Sequence, residues 1–447
     1  MLAVRAEEIS QTSDDESHHN NDVMCVEMEN DEGSENASCT DKHVLCFGYI
    51  IFVSCYVYVV CSVLGFFTSL HLKAQSRLDF MSVSADVIAI DLSSAVFVVT
   101  GFVGSQILEN QAAETIVPCL KYGTVYVLID SWIATLASCL FGSLFNLAEL
   151  HFHAQDLGIT CLEGVTGLQI LDWSQSQNSW HSLNNPIWFL HCLLYSVISI
   201  PFAQKGIDRI TAVFPLYAHY FVLVNSLLPI AVISFFAVYH SQSNIFYTNV
   251  TSIAYRLLEC NLGIAVFYQV KRLDMLTLRC LELLCVCHRE ILCIFCMIWW
   301  THLGLTLNTP EDNCIRLYHY SPCIKWHNGF LMRGCLIGLT FIAVVGLRQK
   351  DMIVSDASVQ RLKTIPTVVA MCYPVSYVVS LLLQVNFTRS LMLENTPMIV
   401  FCIPFLLHAI ANVWISSHKD MCVNYILNKL EDLIARAKQI TNMNTNN

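Results

Sequence analysis

The chain has 447 residues, of which 55% are hydrophobic and only 13% are charged. Ordinary soluble domains carry about 25% charged residues, so this balance excludes a typical soluble enzyme and indicates a polytopic membrane protein. The net charge of -11 comes largely from the beginning of the chain, where twelve of the 35 acidic residues lie in the first 43 positions. No nucleic-acid partner is therefore expected.

Residues 1–43 are polar, acidic and almost free of large apolar side chains, which predicts a disordered tail with no core of its own. This segment lacks the basic and apolar regions of a cleavable signal peptide. Asn36 begins an Asn-Ala-Ser sequon. That sequon is a glycosylation site only if the tail lies outside the cytoplasm.

Nine long apolar runs follow, and they predict an all-α transmembrane bundle of seven to nine spans over residues 44–417. The runs lie at 44–70, 80–107, 119–147, 187–203, 213–239, 286–308, 329–347, 365–384 and 397–415. A tenth run, 250–270, contains Arg256, Glu259 and Asn261. We interpret it as a cytoplasmic continuation of the fifth helix rather than as a crossing.

Residues 418–447 form a basic amphipathic tail after the last run. Its apolar positions have helical spacing and comprise Val423, Ile426, Leu427, Leu430, Leu433, Ile434, Ala437 and Ile440. Its bases are Lys419, Lys429, Arg436 and Lys438. This pattern predicts a helix that lies on the cytoplasmic surface of a membrane.

Nine crossings with an inner C-terminal tail place residues 1–43 outside. Fourteen basic residues then lie inside and eight outside, in the direction that membrane proteins favour. Asn386 falls outside, where its sequon is usable, whereas Asn249 falls inside. The 151–186 connection disagrees, because it would be cytoplasmic but has no lysine or arginine. A re-entrant early run or a reversed N-terminal orientation therefore stays open.

Polar residues inside apolar runs are costly unless they are paired or hydrated, so they mark candidate sites. The candidates for a ligand, ion or coupling network are Asp86, Asp91, Asp130, His408 and Asn412. The alternative is that each side chain bonds a neighbouring backbone group and only fixes packing.

Further candidates lie in residues 285–325. Trp299 and Trp300 suit either an interfacial aromatic belt or contact with a ligand. Cys314 and Cys323, nine residues apart in an outer segment, are candidates for a disulfide. The cysteine-rich stretch 285–296 resembles metal-ligand spacing, but its position at the entrance of a span argues against a zinc site. We expect no metal and no cofactor.

Catalytic motifs are not evident in the sequence: it contains no HExxH, GxSxG, P-loop or dinucleotide-binding turn in a suitable setting. We therefore do not expect an enzyme.

Part of the chain resembles the rhodopsin-like receptors. Asp91 lies mid-run, Cys119 opens the next run, and Asn412 takes the place of the asparagine in that family's NPxxY motif. The resemblance implies a ligand-responsive bundle with a G-protein partner. The departures are Val413 for the proline, Ser416 for the tyrosine, and Ser-Leu-Phe at 143–145 for the DRY-type triplet.

The middle of the chain instead resembles invertebrate gustatory-receptor-like proteins. The stretches SIAYRLLECNLGI and LDMLTLRCLELLCVCHREI are similar to the long cytoplasmic helices of that family, although its TYxxxxxQF signature is missing. This resemblance implies a homo-oligomer related to tetrameric cation channels.

The sequence thus predicts a multi-pass chemosensory or signalling receptor of the plasma membrane. Its partners would be the lipid bilayer and a small-molecule ligand of unknown identity. A secondary transporter stays open as an alternative, with the intramembrane carboxylates and His408 as a proton or cation path. A ligand-gated cation channel is the third class.

Overall fold

A computed structural model shows the described part of the chain to be helical. It describes residues 55–60, 63, 76–109, 113–149, 162, 165–166, 186–214, 217–239, 253–272, 330–345, 356–386 and 389–445. No strand occurs in these ranges. The prediction of an all-α fold is confirmed for this part of the chain.

Nine α-helices and one π-helical segment have defined bounds within these described ranges. They are α1 (Ser76–Glu109), α2 (Ala113–Glu149), α3 (Ile187–Val213), α4 (Ala218–Tyr239), α5 (Ile253–Arg272), α6 (Phe330–Val345), α7 (Asp356–Asn386), α8 (Arg389–Trp414), the π segment Ile415–Lys419, and α9 (Asp420–Thr445). From α8 to α9 the helix continues without a break.

Helices α1 and α5 pack backbone against backbone through two glycines. A Cβ atom at Gly101 would lie 2.0 Å from the carbonyl oxygen of Cys260, and one at Gly263 would lie 1.9 Å from that of Val98. Any side chain at either position would force the helices apart. Small residues of this kind allow close helix packing where a hydrophobic driving force is absent, as in lipid.

The order of contacts gives the relative direction of α1 and α5. The contacting pairs are Ser94–Arg256, Phe102–Phe267 and Glu109–Lys271. Both numbers of each pair rise together, so the two helices are parallel. They remain side by side over fifteen residues.

Helices α3 and α6 run in this same direction. For α3 the pairs are Phe97–Phe189 and Ser105–Gln204, and for α6 they are Ser94–Gly334 and Val98–Gly338. Helices α1, α3, α5 and α6 therefore form a parallel group.

Helix α2 runs the opposite way. Only residues 110–112 separate it from α1. Ser131 nevertheless contacts His191 in the first half of α3, which is possible only if α2 turns back along the bundle. The pairs that give the directions of α7 and the last helix are Tyr126–Lys363, Asp130–Thr367, Asp130–Lys419 and Tyr122–Asp420. Helix α7 is thus parallel to α2, and the last helix is antiparallel to it.

These directions correct two predictions. The 250–270 run is not a continuation of the fifth helix, because α5 is a separate helix packed beside α4, α3 and α1. The nine-crossing arrangement is also wrong in orientation, because it requires α2 and α7 to be antiparallel.

By length and composition, two helices in the described ranges could cross a membrane, Ile116–Phe141 and Ile187–Val213. Shorter apolar helices occur at Tyr220–Ile233 and Cys402–Trp414. These helices fall within or overlap four of the predicted runs. The predicted total of seven to nine spans remains a prediction.

Several predicted features lie outside the described residues. They are the tail 1–43 with Asn36, the aromatic pair Trp299 and Trp300, the cysteines Cys314 and Cys323, the stretch 285–296, and Asn249.

Candidate functional site

The first buried ionic centre joins α2, α7 and the π segment. Lys419 Nζ lies 2.5 Å from Asp130 Oδ2, and both side chains are buried. The Thr367 hydroxyl donates to the same Oδ2 at 2.8 Å, and Lys419 Nζ also lies 3.2 Å from Thr367 Oγ1. The carboxylate thus receives hydrogen bonds from two different helical segments.

Tyr126 forms one wall of this centre. Lys419 Nζ lies 3.3 Å from the centroid of the Tyr126 ring, a cation–π contact. The Tyr126 hydroxyl donates to the Lys363 carbonyl oxygen at 3.1 Å. Since Lys419 ends the π segment, this departure from α-helical spacing sets where its side chain enters the bundle. Short π-helical turns are frequent at functional sites.

Burial is unfavourable for the charge on Lys419. The neighbouring Asp130 carboxylate offsets this cost through its ion pair with Lys419. A buried charge pair of this kind is kept only because its members satisfy each other, and removing one member typically costs about 3–5 kcal/mol.

The tail helix α9 begins against this centre and then leaves the bundle. Its first turns pack on α2 through Val423, Ile426 and Leu427. The Tyr122 hydroxyl donates to Asp420 Oδ1 at 2.7 Å. Residues 428–439 are exposed along their whole length.

Two predictions about the tail change as a result. The helix itself is confirmed, but Lys419 is a buried partner of Asp130 and not a surface base. Among the exposed residues of α9, Lys429, Arg436 and Lys438 are balanced by Asp420, Glu431 and Asp432. The exposed part of α9 is therefore amphipathic but not basic overall.

The second ionic centre lies between α5 and α1. Arg256 Nη1 donates to both carboxylate oxygens of Glu259, at 3.1 and 2.8 Å, and to Ser94 Oγ at 2.7 Å. Arg256 and Glu259 both have 0% exposed side chains and are one turn apart on α5. The pair therefore neutralises itself within a single helix.

Aromatic rings enclose the guanidinium of Arg256. Its Cζ lies 5.1 Å from the centroid of Phe97 on α1 and 5.1 Å from that of Trp188 on α3. Asp91, fully buried on α1, is close enough to act electrostatically on Glu259. Three parallel helices thus meet at one arginine.

His408 belongs to a third group. Its Nδ1 lies 2.5 Å from the hydroxyl of Tyr56, and the two rings meet edge to face. Tyr56 also bonds the side chain of Thr364, one turn before Thr367 on α7. This group and the Asp130 centre therefore both rest on the start of α7.

The predicted network is thus distributed over separate places. Asp91 contributes to the Arg256 centre, Asp130 pairs with Lys419, and His408 bonds Tyr56. Asn412 is half-buried on α8, and a coupling between Asp91 and Asn412 stays a prediction. Asp86 lies in α1, and its side chain is outside the described part. Asn386, a predicted glycosylation site, is the last residue of α7.

Arg256, Glu259, Lys419 and Tyr56 are among the members of these centres that sequence reasoning missed. It also missed His191, which is buried, contacts Ser131 Oγ through Nε2 at 2.9 Å, and has no hydrogen-bond partner for Nδ1 among the described residues. The spacing of Arg256 and Glu259 was a usable signal, because opposite charges three residues apart face each other on a helix.

Comparison with known proteins gives no relative. No family model, no curated protein and no solved structure matches the chain.

Proposed function

We propose that the protein is a multi-pass α-helical membrane receptor of the chemosensory kind, in which a ligand bound on the outer side moves the last helix. The proposal combines the sequence resemblances with two features of the described helices. One feature concerns the outer surface of the bundle and the other the Asp130–Lys419 centre.

The main support for a membrane location is the distribution of apolar and polar side chains on α2. Its exposed face is apolar, with Trp132, Ile133, Leu136, Leu140 and Leu144 between 37% and 64% exposed. Its buried positions include the polar residues Asp130, Ser131, Thr135 and Ser138 beside the apolar Val125, Tyr126, Ile129 and Ala134. A helix of a soluble protein exposes mainly polar side chains, whereas this helix exposes apolar ones and buries a carboxylate and three hydroxyls. Contact with lipid explains both faces, because lipid solvates apolar side chains and excludes charges.

Other helices have the same exposed apolar surface. On α4 it comprises Tyr220, Phe221, Val224, Leu227, Leu228 and Val232, and on α8 it comprises Phe405, Leu406 and Val413. Exposed apolar side chains in such numbers along a helix are uncommon in soluble monomers, whose exposed apolar patches are small.

The Asp130–Lys419 pair supports the signalling part. It connects α2 in the bundle to the π segment, from which the exposed helix α9 continues. A ligand that shifts α2 or α7 would change this contact, and α9 would transmit the change to the other side of the membrane. Lys419 and Asp130 would then act as a latch between two positions of the tail helix.

A cation channel or transporter is the second candidate, and the Arg256 centre favours it. The Glu259 carboxylate bonds the Arg256 guanidinium, and the buried Asp91 is close enough to act electrostatically on Glu259. Acidic groups at such depth are common in ion and proton pathways.

One pair of assays tests the proposal. The full-length protein is first expressed and its membranes are washed with alkaline carbonate, and release into the wash would refute the membrane assignment. A fluorophore is then attached at position 428 on α9 and read during addition of candidate small molecules. Ligand-dependent signals that Lys419→Met alters and Lys429→Met leaves unchanged support the receptor. Cation flux in proteoliposomes without any signal from α9 would favour the second candidate.

A further inference from the structure

We propose that α5 crosses the membrane and that the chain crosses ten times, which places residues 1–43 and α9 on the same, cytoplasmic side. This inference rests on the proposed membrane location. Its evidence is independent of that location, because it comes from the relative directions of the described helices.

The first step is that α5 accompanies α1 through the bundle. The two are parallel from Ser94–Arg256 to Glu109–Lys271. Fifteen residues correspond to about 22 Å, and the twenty residues of α5 to about 30 Å, the thickness of a hydrocarbon core. If α1 crosses the bilayer, α5 lies at the same depth beside it and is long enough to cross as well.

The charges of α5 do not prevent this crossing. Arg256 and Glu259 have no exposed side-chain surface, bond each other, and lie among α1 and α3 rather than toward lipid. Paired charges that face a bundle interior are the form in which ionisable residues occur within membranes.

The second step assigns helix ends to two faces. The tail face is the end of the bundle where α1 ends and α2 begins, and the far face is the opposite end. Since α3, α5 and α6 are parallel to α1, they all end at the tail face. Since α2 and α7 run oppositely, they end at the far face. The last helix is antiparallel to α2, so α9 leaves at the tail face beside Tyr122.

The connections then follow. Helix α2 ends and α3 begins at the far face, so the 150–186 connection lies there. Helix α5 ends at the tail face and α6 begins at the far face, so the chain must cross an odd number of times between residues 272 and 330. The sequence has one apolar run in this interval, 286–308. With run 44–70 as the first crossing, residues 1–43 lie at the tail face.

The basic residues identify the cytoplasmic side. Fifteen are then at the tail face: Arg5, Lys42, Lys121, Lys205, Arg209, Lys271, Arg272, Arg279, Arg348, Lys350, Arg361, Lys363, Lys429, Arg436 and Lys438. Five are at the far face: Lys73, Arg77, Arg316, Lys325 and Arg389. The difference in basic residues between the two faces is therefore larger than in the nine-crossing arrangement, which has fourteen inside and eight outside. Because basic residues collect on the cytoplasmic side, the tail face is cytoplasmic. The 150–186 connection, which has no lysine or arginine, is then outside.

Epitope mapping of the full-length chain tests this arrangement. One epitope at a time is placed before Met1, after Gln242, after Asp351 or after Asn447, and cells are labelled after permeabilisation of the plasma membrane alone. We expect labelling of the epitopes at 1, 351 and 447, while the epitope at 242 is labelled only on intact cells or after all membranes are opened. Labelling of the 242 epitope from the cytosol, or of the two ends from opposite sides, would overturn the arrangement.

A glycosylation acceptor on a flexible linker at the same four positions gives a second readout. Modification only at position 242 supports ten crossings, and modification at 1, 351 or 447 contradicts them. Carbonate extraction separates the two possible failures. A chain that resists extraction but labels otherwise refutes this topology alone, whereas an extracted chain refutes the membrane assignment as well.

Discussion

Lys419 Nζ and Asp130 Oδ2 lie 2.5 Å apart in the interior of the bundle, although 289 residues separate them in sequence. The contact fixes the start of the tail helix against α2 and α7. Because both groups are buried, water does not take the place of a partner that is lost, and the remaining group is left uncompensated. The pair is therefore the most informative place to perturb the fold and the proposed signal together.

Removal of one partner of this pair should destabilise the protein strongly. We expect Lys419→Met or Asp130→Asn to lower the free energy of unfolding by about 3–5 kcal/mol, because each leaves a buried group uncompensated. The double variant should lose less than the sum, with a coupling of about 0.5–3 kcal/mol. Denaturant unfolding in detergent measures all four corners of this cycle.

Lys429→Met is the matched control for this cycle. Lys429 lies on the exposed part of α9, and substitutions at such surface positions usually change stability by no more than about 0.5 kcal/mol. Equal losses in Lys419→Met and Lys429→Met, or additive losses in the cycle, would show that the pair is not coupled.

The glycine contact between α1 and α5 gives a second prediction. Gly101→Ala places a Cβ atom within 2.0 Å of the Cys260 carbonyl oxygen, which is backbone and cannot rotate away. We expect a loss of about 1–3 kcal/mol, as for other overpacked interiors. Gly206→Ala is the control, because nothing lies within 4 Å of its Cβ position in α3. There the better helix propensity of alanine should stabilise the protein by up to about 1 kcal/mol. Thermal unfolding of both variants measures the difference, and a tolerated Gly101→Ala would contradict the close approach.

Hydropathy was sufficient to locate most helices. The runs predicted at 80–107, 119–147 and 329–347 correspond to α1, α2 and α6, with ends displaced by a few residues. This succeeds because apolar length is a local property. It fails at α5, where Arg256 and Glu259 made a buried helix look like a solvated one. Their partner Ser94 lies 162 residues away from Arg256, so the compensation is invisible in a local window.

The same limit explains the errors at the candidate site. Lys419 follows an apolar run and looks like an ordinary positive flank. The position of its side chain depends on the π segment and on contacts with Asp130 and Thr367, which belong to other helices. Asp91 and Asp130 were correctly chosen as buried polar groups, but their grouping required helix directions that composition does not contain.

A third prediction concerns whether Asp91 is coupled to Glu259 or to Asn412. Asp91 acts electrostatically on Glu259, so Asp91→Asn and Glu259→Gln should be coupled in a double-mutant cycle by about 0.5–3 kcal/mol. The cycle of Asp91→Asn with Asn412→Ala tests the alternative suggested by the rhodopsin-like resemblance. Coupling in the second cycle and additivity in the first would reverse the assignment of Asp91. Unfolding in detergent and surface expression are measured together, so that loss of folding is recognised.

The native sequons give the last prediction, which depends on the ten-crossing arrangement. Asn386 ends α7 at the far face, and Asn249 precedes the start of α5 at that same face. A glycan on either is therefore compatible with ten crossings, and Asn386→Gln or Asn249→Gln should remove it. Asn36 lies before the first crossing and should stay unmodified, so Asn36→Gln should not change the size of the expressed protein. Glycosidase treatment followed by electrophoresis measures each variant. A glycan on Asn36 would require residues 1–43 to be outside, and since α9 and residues 1–43 would then lie on opposite sides, the number of crossings would have to be odd.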